Sequence, residues 1–251
     1  MLRLTKRQEA RRRRDERKRR VARGVPDGEL RPHAVEFRYQ GQMVAMLTAG
    51  INDHITGQII GKKRFYELDL LERIRALGIK GLYVDVGAHI GNHSVYFARY
   101  CPATHVIAVE ADPELAKICQ DNLQGCRAHC DTTFETVPYA CYDGLPVKIV
   151  RHKIRNTGMQ SVQTDWDGRP SKTLADILGG RVPAVVKIDI EGGEPVVLWD
   201  ALPLLREHTP LLVIESRTGA EYSDTEDKLR ELGYRSEGPY ALTPTYIWRA
   251  A

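Results

Sequence analysis

Three short segments place charged residues and glycines on or directly after apolar runs, a pattern typical of a ligand site in an α/β protein. In the first, Tyr83–Ser94, the run carries Asp85 and leads through Gly87 and Gly91 into a helix-like stretch. Glycines at such a turn let the main chain approach a ligand. The spacing lacks a third glycine, and Asp85 would repel a pyrophosphate. The segment favours a ligand with a cationic group, and an ordinary strand-to-helix turn is the alternative.

The second segment, Val106–Pro113, is an apolar run that ends in Glu110, 23 positions after Gly87. An acid at this position can accept hydrogen bonds from both hydroxyls of a ribose, as in dinucleotide folds. Pro113 suits the first turn of a following helix. The alternative is a solvated carboxylate at a strand end, but its occurrence together with the glycine turn favours a nucleoside-like ligand.

The third segment, Val185–Glu194, is a strand-like apolar run that also carries several charges. Lys187 and Asp189 alternate within the run, and buried strands carry such charges when the side chains face a polar cleft. The alternative, acids that complement a helix N-terminus, fits Glu194 but not Lys187 or Asp189. The segment therefore predicts polar chemistry at the end of a strand.

The elements that would position these segments alternate between short β-branched strands and helices. This alternation predicts an α/β fold with a doubly wound, mostly parallel sheet that is covered by helices on both faces. The predicted strands are Leu82–Val86, Val106–Glu110, a segment near Val137–Cys141, Val147–Val150, Val185–Ile190, Leu211–Glu215 and an edge strand at Thr245–Trp248. The predicted helices are the stretch after Gly91, Pro113–Leu123, Thr173–Leu178, Glu194–Glu207 and Thr225–Leu232.

The sequence divides into three predicted regions. Residues 1–28 form a basic arm with a linker, residues 29–80 an N-terminal extension, and residues 81–251 the ligand-binding domain. Within the extension, Val35–Tyr39 and Gln42–Leu47 alternate in polarity and predict a hairpin. The apolar spacing of Phe65–Leu77 predicts a helix that stops at Gly78.

Charge is distributed unevenly along the chain. Residues 1–24 carry 12 Lys and Arg and three acids, so this arm has a charge of +9, whereas the whole chain has +4. Such an arm can bind nucleic acid or another anionic surface by neutralising phosphates. Because no aromatic residues lie between its arginines, a solvated tail is an equal alternative.

The composition of the whole chain, 42% hydrophobic and 28% charged residues, is that of a globular protein. Its apolar runs are shorter than the roughly 20 residues of a membrane-spanning helix, and no secretory pattern is visible, so we expect a cytoplasmic location. The five cysteines are an odd count, which argues against a disulfide framework. Cys126, His129 and Cys130 lack a second pair of metal ligands, which favours free thiols over a zinc site.

Taken together, the segments resemble those of the FkbM-type methyltransferases, within the class I S-adenosylmethionine-dependent group. Lys187–Glu194 is similar to the family signature Lys-Ile-Asp-Val-Glu-Gly-Ala-Glu. Asp85–Gly91 resembles the turn Asp-Val-Gly-Ala-Asn-x-Gly, with His89 where Asn is common. Glu110–Pro113 resembles a Glu-Pro-x-Pro step, and Tyr66–Glu67 a Tyr-Glu pair that precedes the family's core. The likeness covers roughly residues 50–240 and leaves out the basic arm.

This resemblance implies a seven-strand sheet that binds S-adenosylmethionine and transfers its methyl group, usually to a hydroxyl oxygen. It implies that Asp85 and the turn through Ser94 face the methionine part, that Glu110 holds the ribose, and that Cys141 lies near the adenine. The predicted cofactor-binding residues are Glu67, Asp85, Gly87, Ala88, His89, Gly91, Asn92, Ser94, Glu110, Ala111 and Cys141. The expected acceptor is a hydroxyl of a sugar, a glycan or a natural-product-like small molecule.

Asp189 is the first candidate for the base that takes the acceptor proton or for the group that orients the acceptor. Glu191, Lys187 and His93 are further candidates. Asp189 and Glu215 end neighbouring predicted strands and could instead hold a divalent cation. Because oxygen-ligand sites usually need more acids than these, we predict no metal site.

Two other functions are alternatives to this interpretation. A dinucleotide-dependent oxidoreductase conflicts with Asp85 and with the missing glycine. A nucleic-acid-associated, methyltransferase-like protein would be recruited by the Arg-rich residues 1–24. The polar segment Asn156–Ser161 is interpreted either as a loop that contacts the acceptor or as a plain surface turn.

Overall fold

The computed structural model describes residues 32–50, 53–151, 160–216, 219–240 and 243–250. Its strands, in chain order, are β1 (His33–Tyr39), β2 (Gln42–Thr48), β3 (Gly81–Val86), β4 (Ala103–Val109), β5 (Thr133–Val137), β6 (Ala140–Cys141), β7 (Val147–Arg151), β8 (Gln160–Thr164), β9 (Ser171–Lys172), β10 (Pro183–Ile188), β11 (Leu211–Glu215), β12 (Tyr234–Glu237) and β13 (Thr245–Ala250). Its helices are α1 (His54–Lys62), α2 (Leu68–Ala76), α3 (Asn92–Tyr100), α4 (Pro113–Cys126), α5 (Leu174–Leu178), α6 (Glu194–His208) and α7 (Ala220–Glu231), with a 3-10 turn at Arg127–His129.

A central sheet has seven strands in the order β12-β13-β11-β10-β3-β4-β5. The strands from β5 to β11 in this order run parallel, and β13 runs antiparallel to both of its neighbours. The predicted fold class is therefore confirmed. The predicted edge position of the last strand is wrong, because the short polar strand β12 (Tyr-Arg-Ser-Glu) covers that edge.

The central strands are buried, as expected for parallel strands packed between helices. Val84 and Val86 of β3 and Val186 and Ile188 of β10 have no exposed surface. They belong to one apolar cluster that also includes side chains of α5, α6 and α7. This cluster packs the central strands against the three helices.

The order of the strands reverses at β3. The strands β4 and β5, which follow it in the chain, lie on one side of β3, and the later strand β10 lies on its other side. A crevice opens at such a reversal, outside the carboxyl ends of the strands, and ligands of doubly wound folds bind there. At this crevice the Asp189 amide donates a hydrogen bond to the Val86 carbonyl at 3.1 Å, so the two strand ends meet.

The predicted hairpin is confirmed as β1 and β2, with Tyr39 opposite Gln42 at the turn. The hydroxyls of Tyr39 and Tyr96 lie 2.9 Å apart, which joins the hairpin to α3. The Asn122 side chain of α4 holds the amide and carbonyl of Leu47 at 2.7 and 2.8 Å. The hairpin is thus attached to the two helices that follow the glycine turn.

Two helices lie between the hairpin and β3, and the sequence predicts only the second. Asp53 caps α1 by accepting a hydrogen bond from the Thr56 amide at 2.9 Å, but Gly57 and Gly61 weaken its helical signal. Helix α2 begins after Glu67, which has a left-handed backbone with φ of 53°. The predicted domain boundaries stay predictions, and the basic arm lies outside the described residues.

Candidate active site

A cavity of about 390 Å³ lies in the crevice at the carboxyl edge of the sheet. This volume is within the range of small-molecule sites, roughly 300–1,000 Å³. Many predicted site residues line it: Glu67, Gly87, Ala88, His89, Asn92, Glu110, Ala111, Cys141, Lys187, Asp189 and Glu191. Asp85, Gly91 and Ser94 are predicted for the same site but are not part of this lining.

Asp85 lies behind the cavity wall, and its side chain has no exposed surface. Its carboxylate accepts a hydrogen bond from Ser94 Oγ at 2.6 Å and lies 3.1 Å from Lys187 Nζ. Burial disfavours the charged form, but Lys187 and His93 outweigh burial and hold the pKa of Asp85 below its ordinary value. In this structure Asp85 and Ser94 lie outside the cavity lining, and their direct contact with a ligand stays a prediction.

Lys187 links the two strands that border the crevice. Its Nζ lies 3.1 Å from Asp85 and 3.6 Å from Asp189, and it donates to the Gly87 carbonyl at 3.2 Å. Burial alone would lower the pKa of Lys187, but Asp85 and Asp189 raise it above its ordinary value. Lys187 thus carries a charge that is held between two carboxylates, and its predicted alternative role in catalysis stays a prediction.

The glycine turn is shaped by close packing within the protein. A Cβ on Gly87, where φ is +80°, would lie 1.8 Å from the Asp189 carbonyl oxygen. A Cβ on Gly91, where φ is +82°, would lie 2.8 Å from Cys119 Sγ. The two glycines let β3 approach the chain after β10, and α3 approach α4, and their role in making room for a ligand stays a prediction.

Glu110 lies directly after β4 and lines the cavity. Its two carboxylate oxygens accept hydrogen bonds from the amides of His89 at 2.7 Å and Asp112 at 2.9 Å. Burial raises the pKa of Glu110 to about 7, against the effect of these two amides. Each oxygen has a second lone pair, so Glu110 can accept further hydrogen bonds from a ligand.

Tyr66 and Glu67 form another part of the wall, and the first residues of α3 hold them. The Asn92 side chain accepts a hydrogen bond from the Tyr66 amide and donates one to the Tyr66 carbonyl, both at 3.0 Å. His93 Nε2 lies 3.3 Å from the Glu67 carboxylate. Burial, Glu67 and Asp189 raise the pKa of Tyr66 above its ordinary value. Asn92 lines the cavity as predicted, but its amide group holds Tyr66.

Three carboxylates meet where β10 and β11 end. Oxygens of Asp189, Glu191 and Glu215 lie within 4.8 Å of one another. The Asp189 side chain is 33% exposed, whereas Glu215 is only 3% exposed. Burial, Asp189 and Glu194 raise the pKa of Glu215 to about 9. Asp189 is therefore more accessible than Glu215 to a molecule in the cavity, and the expected lack of a metal stays a prediction.

Glu194 supports the loop between β10 and α6. Its carboxylate accepts hydrogen bonds from the amides of Ile190 at 2.8 Å and Gly192 at 2.9 Å, and from the Tyr222 hydroxyl at 2.5 Å. These bonds hold a loop in which Glu191 has a φ of 61°. As the first residue of α6, Glu194 agrees with its interpretation as an acid at a helix N-terminus.

Comparison with known proteins places these features in a family. The family model described as the methyltransferase FkbM domain matches residues 85–236, which is more than half of the chain. The chain belongs to the FkbM methyltransferase family. The matched range contains the glycine turn, Glu110 and Asp189, so the resemblance inferred from the motifs is confirmed. No curated protein matches the chain at a significant level.

One solved structure of an FkbM methyltransferase agrees with this fold. The crystal structure of methyltransferase FkbM from Methylobacillus flagellatus KT has a TM-score of 0.51 and 19% identity, over 68% of this chain and 43% of that one. This chain thus spans less than half of that protein's length. Precorrin-6y C5,15-methyltransferase from Geobacter metallireducens GS-15 has a TM-score of 0.45 and 16% identity, over 74% of this chain and 86% of that one. M. capricolum TrmK, solved with S-adenosyl-homocysteine, has a TM-score of 0.42 and 10% identity, over 72% of this chain and 66% of that one.

Several residues of the cavity lie outside the sequence motifs and are not predicted by them. They are His54, Ile55, Tyr139, Ile149, Val162 and Thr243. A capping residue such as Asp53, followed by apolar residues that are spaced as on one face of a helix, is a signal that could have located α1 and its first residues. Gln160, from the predicted polar loop Asn156–Ser161, lines the cavity as part of β8, and residues 156–159 lie outside the described residues.

Proposed function

We propose that this FkbM-family methyltransferase takes its methyl group from S-adenosylmethionine and transfers it to a hydroxyl oxygen of a small molecule or glycan. The observation that carries the proposal is one cavity, at the reversal point of the sheet, that is lined both by Glu110 and by Asp189. An acid suited to a ribose and a candidate base thus face the same space. Transfer between two bound molecules requires such proximity.

The lining supports binding of the donor along its length. Cys141 and Tyr139 offer surface for the adenine, and Glu110 has lone pairs for the ribose hydroxyls. The turn Gly87–His89 then leads along the wall towards the methionine end. When bound, S-adenosylmethionine supplies a methyl group that is already activated on a sulfonium. The protein's own contribution is to orient the two reactants and to exclude water.

Asp189 is the residue that supports proton removal from the acceptor. Its carboxylate is accessible from the cavity, and Lys187, which lies 3.6 Å away, restrains its position. Glu215 is a weaker candidate, because it is buried and burial, Asp189 and Glu194 raise its pKa above the ordinary value. Glu191 lies close enough to assist in orienting an acceptor hydroxyl.

Methyl transfer from S-adenosylmethionine to a panel of sugars, glycosides and hydroxylated natural products tests the proposal by mass spectrometry. We expect a product with one added methyl on oxygen. Asp189→Asn should lower kcat roughly 10²–10⁴-fold, the usual contribution of a general base. Calorimetry with S-adenosylhomocysteine is the control, because donor binding should persist in this variant. Methylation of nitrogen or sulfur groups alone, or an unchanged kcat in the variant, would contradict the assignment.

The basic arm supports a second proposal, in which residues 1–24 recruit the enzyme to nucleic acid. The cavity is lined by more carboxyl groups than cationic side chains, which disfavours a polyanionic acceptor inside it. Its carboxylates are Glu67, Glu110, Asp189, Glu191 and Glu215.

Among the described helices, none combines the length and the apolarity needed to cross a bilayer. The cytoplasmic location stays a prediction.

A further inference from the structure

A donor with a methionine part brings an ammonium group into the cavity, and a cation removed from water needs a carboxylate beside it. The sequence assigns this role to Asp85. In the structure, Asp85 lies behind the wall and is paired with Lys187 at 3.1 Å. Another carboxylate therefore has to receive the ammonium group, and the cavity has one beside the start of α3.

We propose that Glu67 binds the ammonium group of the donor and that Asn92 and His93 are its positioning residues. This inference rests on the proposed use of S-adenosylmethionine. It gives Glu67 a defined partner on the ligand, and it changes the role of Asn92 from cofactor contact to support of the wall.

The local contacts fix Glu67 in place. Asn92 holds both polar groups of the Tyr66 backbone at 3.0 Å, and the next residue, His93, lies 3.3 Å from the Glu67 carboxylate. Glu67 itself has a left-handed backbone with φ of 53°. Such a conformation in a residue other than glycine persists only where its surroundings impose it, often at a binding site.

A chain of contacts along the wall leads from the proposed ribose site to Glu67. Glu110 accepts a hydrogen bond from the His89 amide at 2.7 Å. Four residues further along, at the start of α3, His93 contacts Glu67. Cys141, at the proposed adenine site, lies on the β6 side of the cavity. A donor that runs from Cys141 past Glu110 and over the turn would therefore bring its methionine end to Glu67.

The other carboxylates of the cavity are less suited to the ammonium. Glu110 accepts two backbone amides at the proposed ribose site. Asp189 has Lys187 at 3.6 Å, and Glu215 is only 3% exposed. Glu191 lies in one cluster with Asp189 and Glu215, at the proposed acceptor side of the cavity. Among the described residues, no Lys or Arg lies within ion-pair distance of the Glu67 carboxylate, which contacts His93, and Lys187 acts on it only from a greater distance, so its charge is suited to a cation from the ligand.

Calorimetry with two ligands tests the inference independently of turnover. The ligands are S-adenosylhomocysteine and its deaminated analogue, 5′-S-(3-carboxypropyl)-5′-thioadenosine, which keeps the carboxylate but lacks the ammonium. Glu67→Gln keeps the shape and the hydrogen-bonding capacity of the side chain and removes its charge. We expect this variant to bind S-adenosylhomocysteine roughly ten- to hundredfold more weakly, and the analogue as the wild type does. Asp69→Asn, which removes an exposed charge two residues away, is the control and should change neither affinity.

Each result separates this inference from the function on which it rests. An equal loss for both ligands, or no loss for either, in Glu67→Gln would overturn the role of Glu67. Failure of the wild type to bind S-adenosylhomocysteine would overturn the proposed function and this inference with it. If Glu67→Gln does not fold, Glu67→Asp keeps the charge on a shorter side chain. It should then weaken only S-adenosylhomocysteine binding.

Discussion

Among single residues, Asp85 and Lys187 form a pair with a direct consequence for stability. Their side chains are 0% and 3% exposed, and their charged groups lie 3.1 Å apart. Asp85→Asn would leave the buried Lys187 charge without this partner. We expect the free energy of unfolding to fall by about 3–5 kcal/mol, as measured by urea titration.

An exposed ion pair provides the control for this variant. Asp227 and Arg230 lie 2.7 Å apart on α7, with side chains 64% and 52% exposed. Asp227→Asn should change the free energy of unfolding by about 0–1 kcal/mol, since solvent screens this pair. Losses of equal size in the two variants would contradict a special role for the buried pair.

Two cavity carboxyls make stability depend on pH. Burial raises the pKa of Glu110 to about 7 and that of Glu215 to about 9, from an ordinary value of 4.5. At a pH between the ordinary and the raised pKa of each group, the folded chain holds a proton that the unfolded chain has released. The free energy of unfolding should therefore fall as pH rises from about 5 to about 9. The combined variant Glu110→Gln and Glu215→Gln should show a flatter slope in urea titrations across this range, and an unchanged slope would contradict the assignment.

Among the structural elements, the glycine turn joins the end of β3 to the chain after β10. A Cβ on Gly87 would lie 1.8 Å from a backbone oxygen, whereas Gly78, also at positive φ, has nothing within 4 Å of such a Cβ. Gly78→Ala should cost about 1–2 kcal/mol of stability from backbone strain alone. Gly87→Ala should cost clearly more, because β3 and the Asp189 segment must also separate. Thermal unfolding of both variants measures the difference, and equal shifts in Tm would rule out this close approach.

The order of the elements is predictable from sequence because apolar strands and amphipathic helices have different periods. Strand β11 is predicted with its observed bounds, Leu211–Glu215. Strand β12 and helix α1 are missed, because a polar edge strand and a glycine-containing helix lack those periods. The position of β13 depends on β12, so one omission leads to the other error.

The candidate site is predictable in its location but less so in its contacts. The motifs place Glu110 and Asp189 at the same edge of the sheet, and both line the cavity. The motifs do not reveal that Lys187 and Asp85 neutralise each other, because this pairing depends on the register of β3 beside β10. The support of Tyr66 by Asn92 joins residues 26 positions apart and has no local signal.

At the scale of the whole molecule, the chain combines a strongly basic arm with a remainder of net negative charge. Residues 1–24 carry a charge of +9 within a chain of +4. If the arm binds nucleic acid, the affinity for a DNA or RNA duplex should fall steeply with salt and disappear when residues 1–24 are deleted. Fluorescence anisotropy at several salt concentrations measures both effects. Binding that persists after the deletion, without salt dependence, would contradict recruitment by the arm.

The central claim is that the cavity at the reversal of the sheet binds S-adenosylmethionine. Isothermal titration calorimetry of the intact chain with S-adenosylmethionine, with NAD in a parallel titration, tests it most directly. We expect the wild type to bind S-adenosylmethionine but not NAD. Glu110→Gln loses a charged acceptor for the ribose hydroxyls, so its affinity for S-adenosylmethionine should be lower by a factor of roughly ten or more. Tight binding of NAD, no binding of S-adenosylmethionine, or an unchanged affinity in Glu110→Gln would contradict the account.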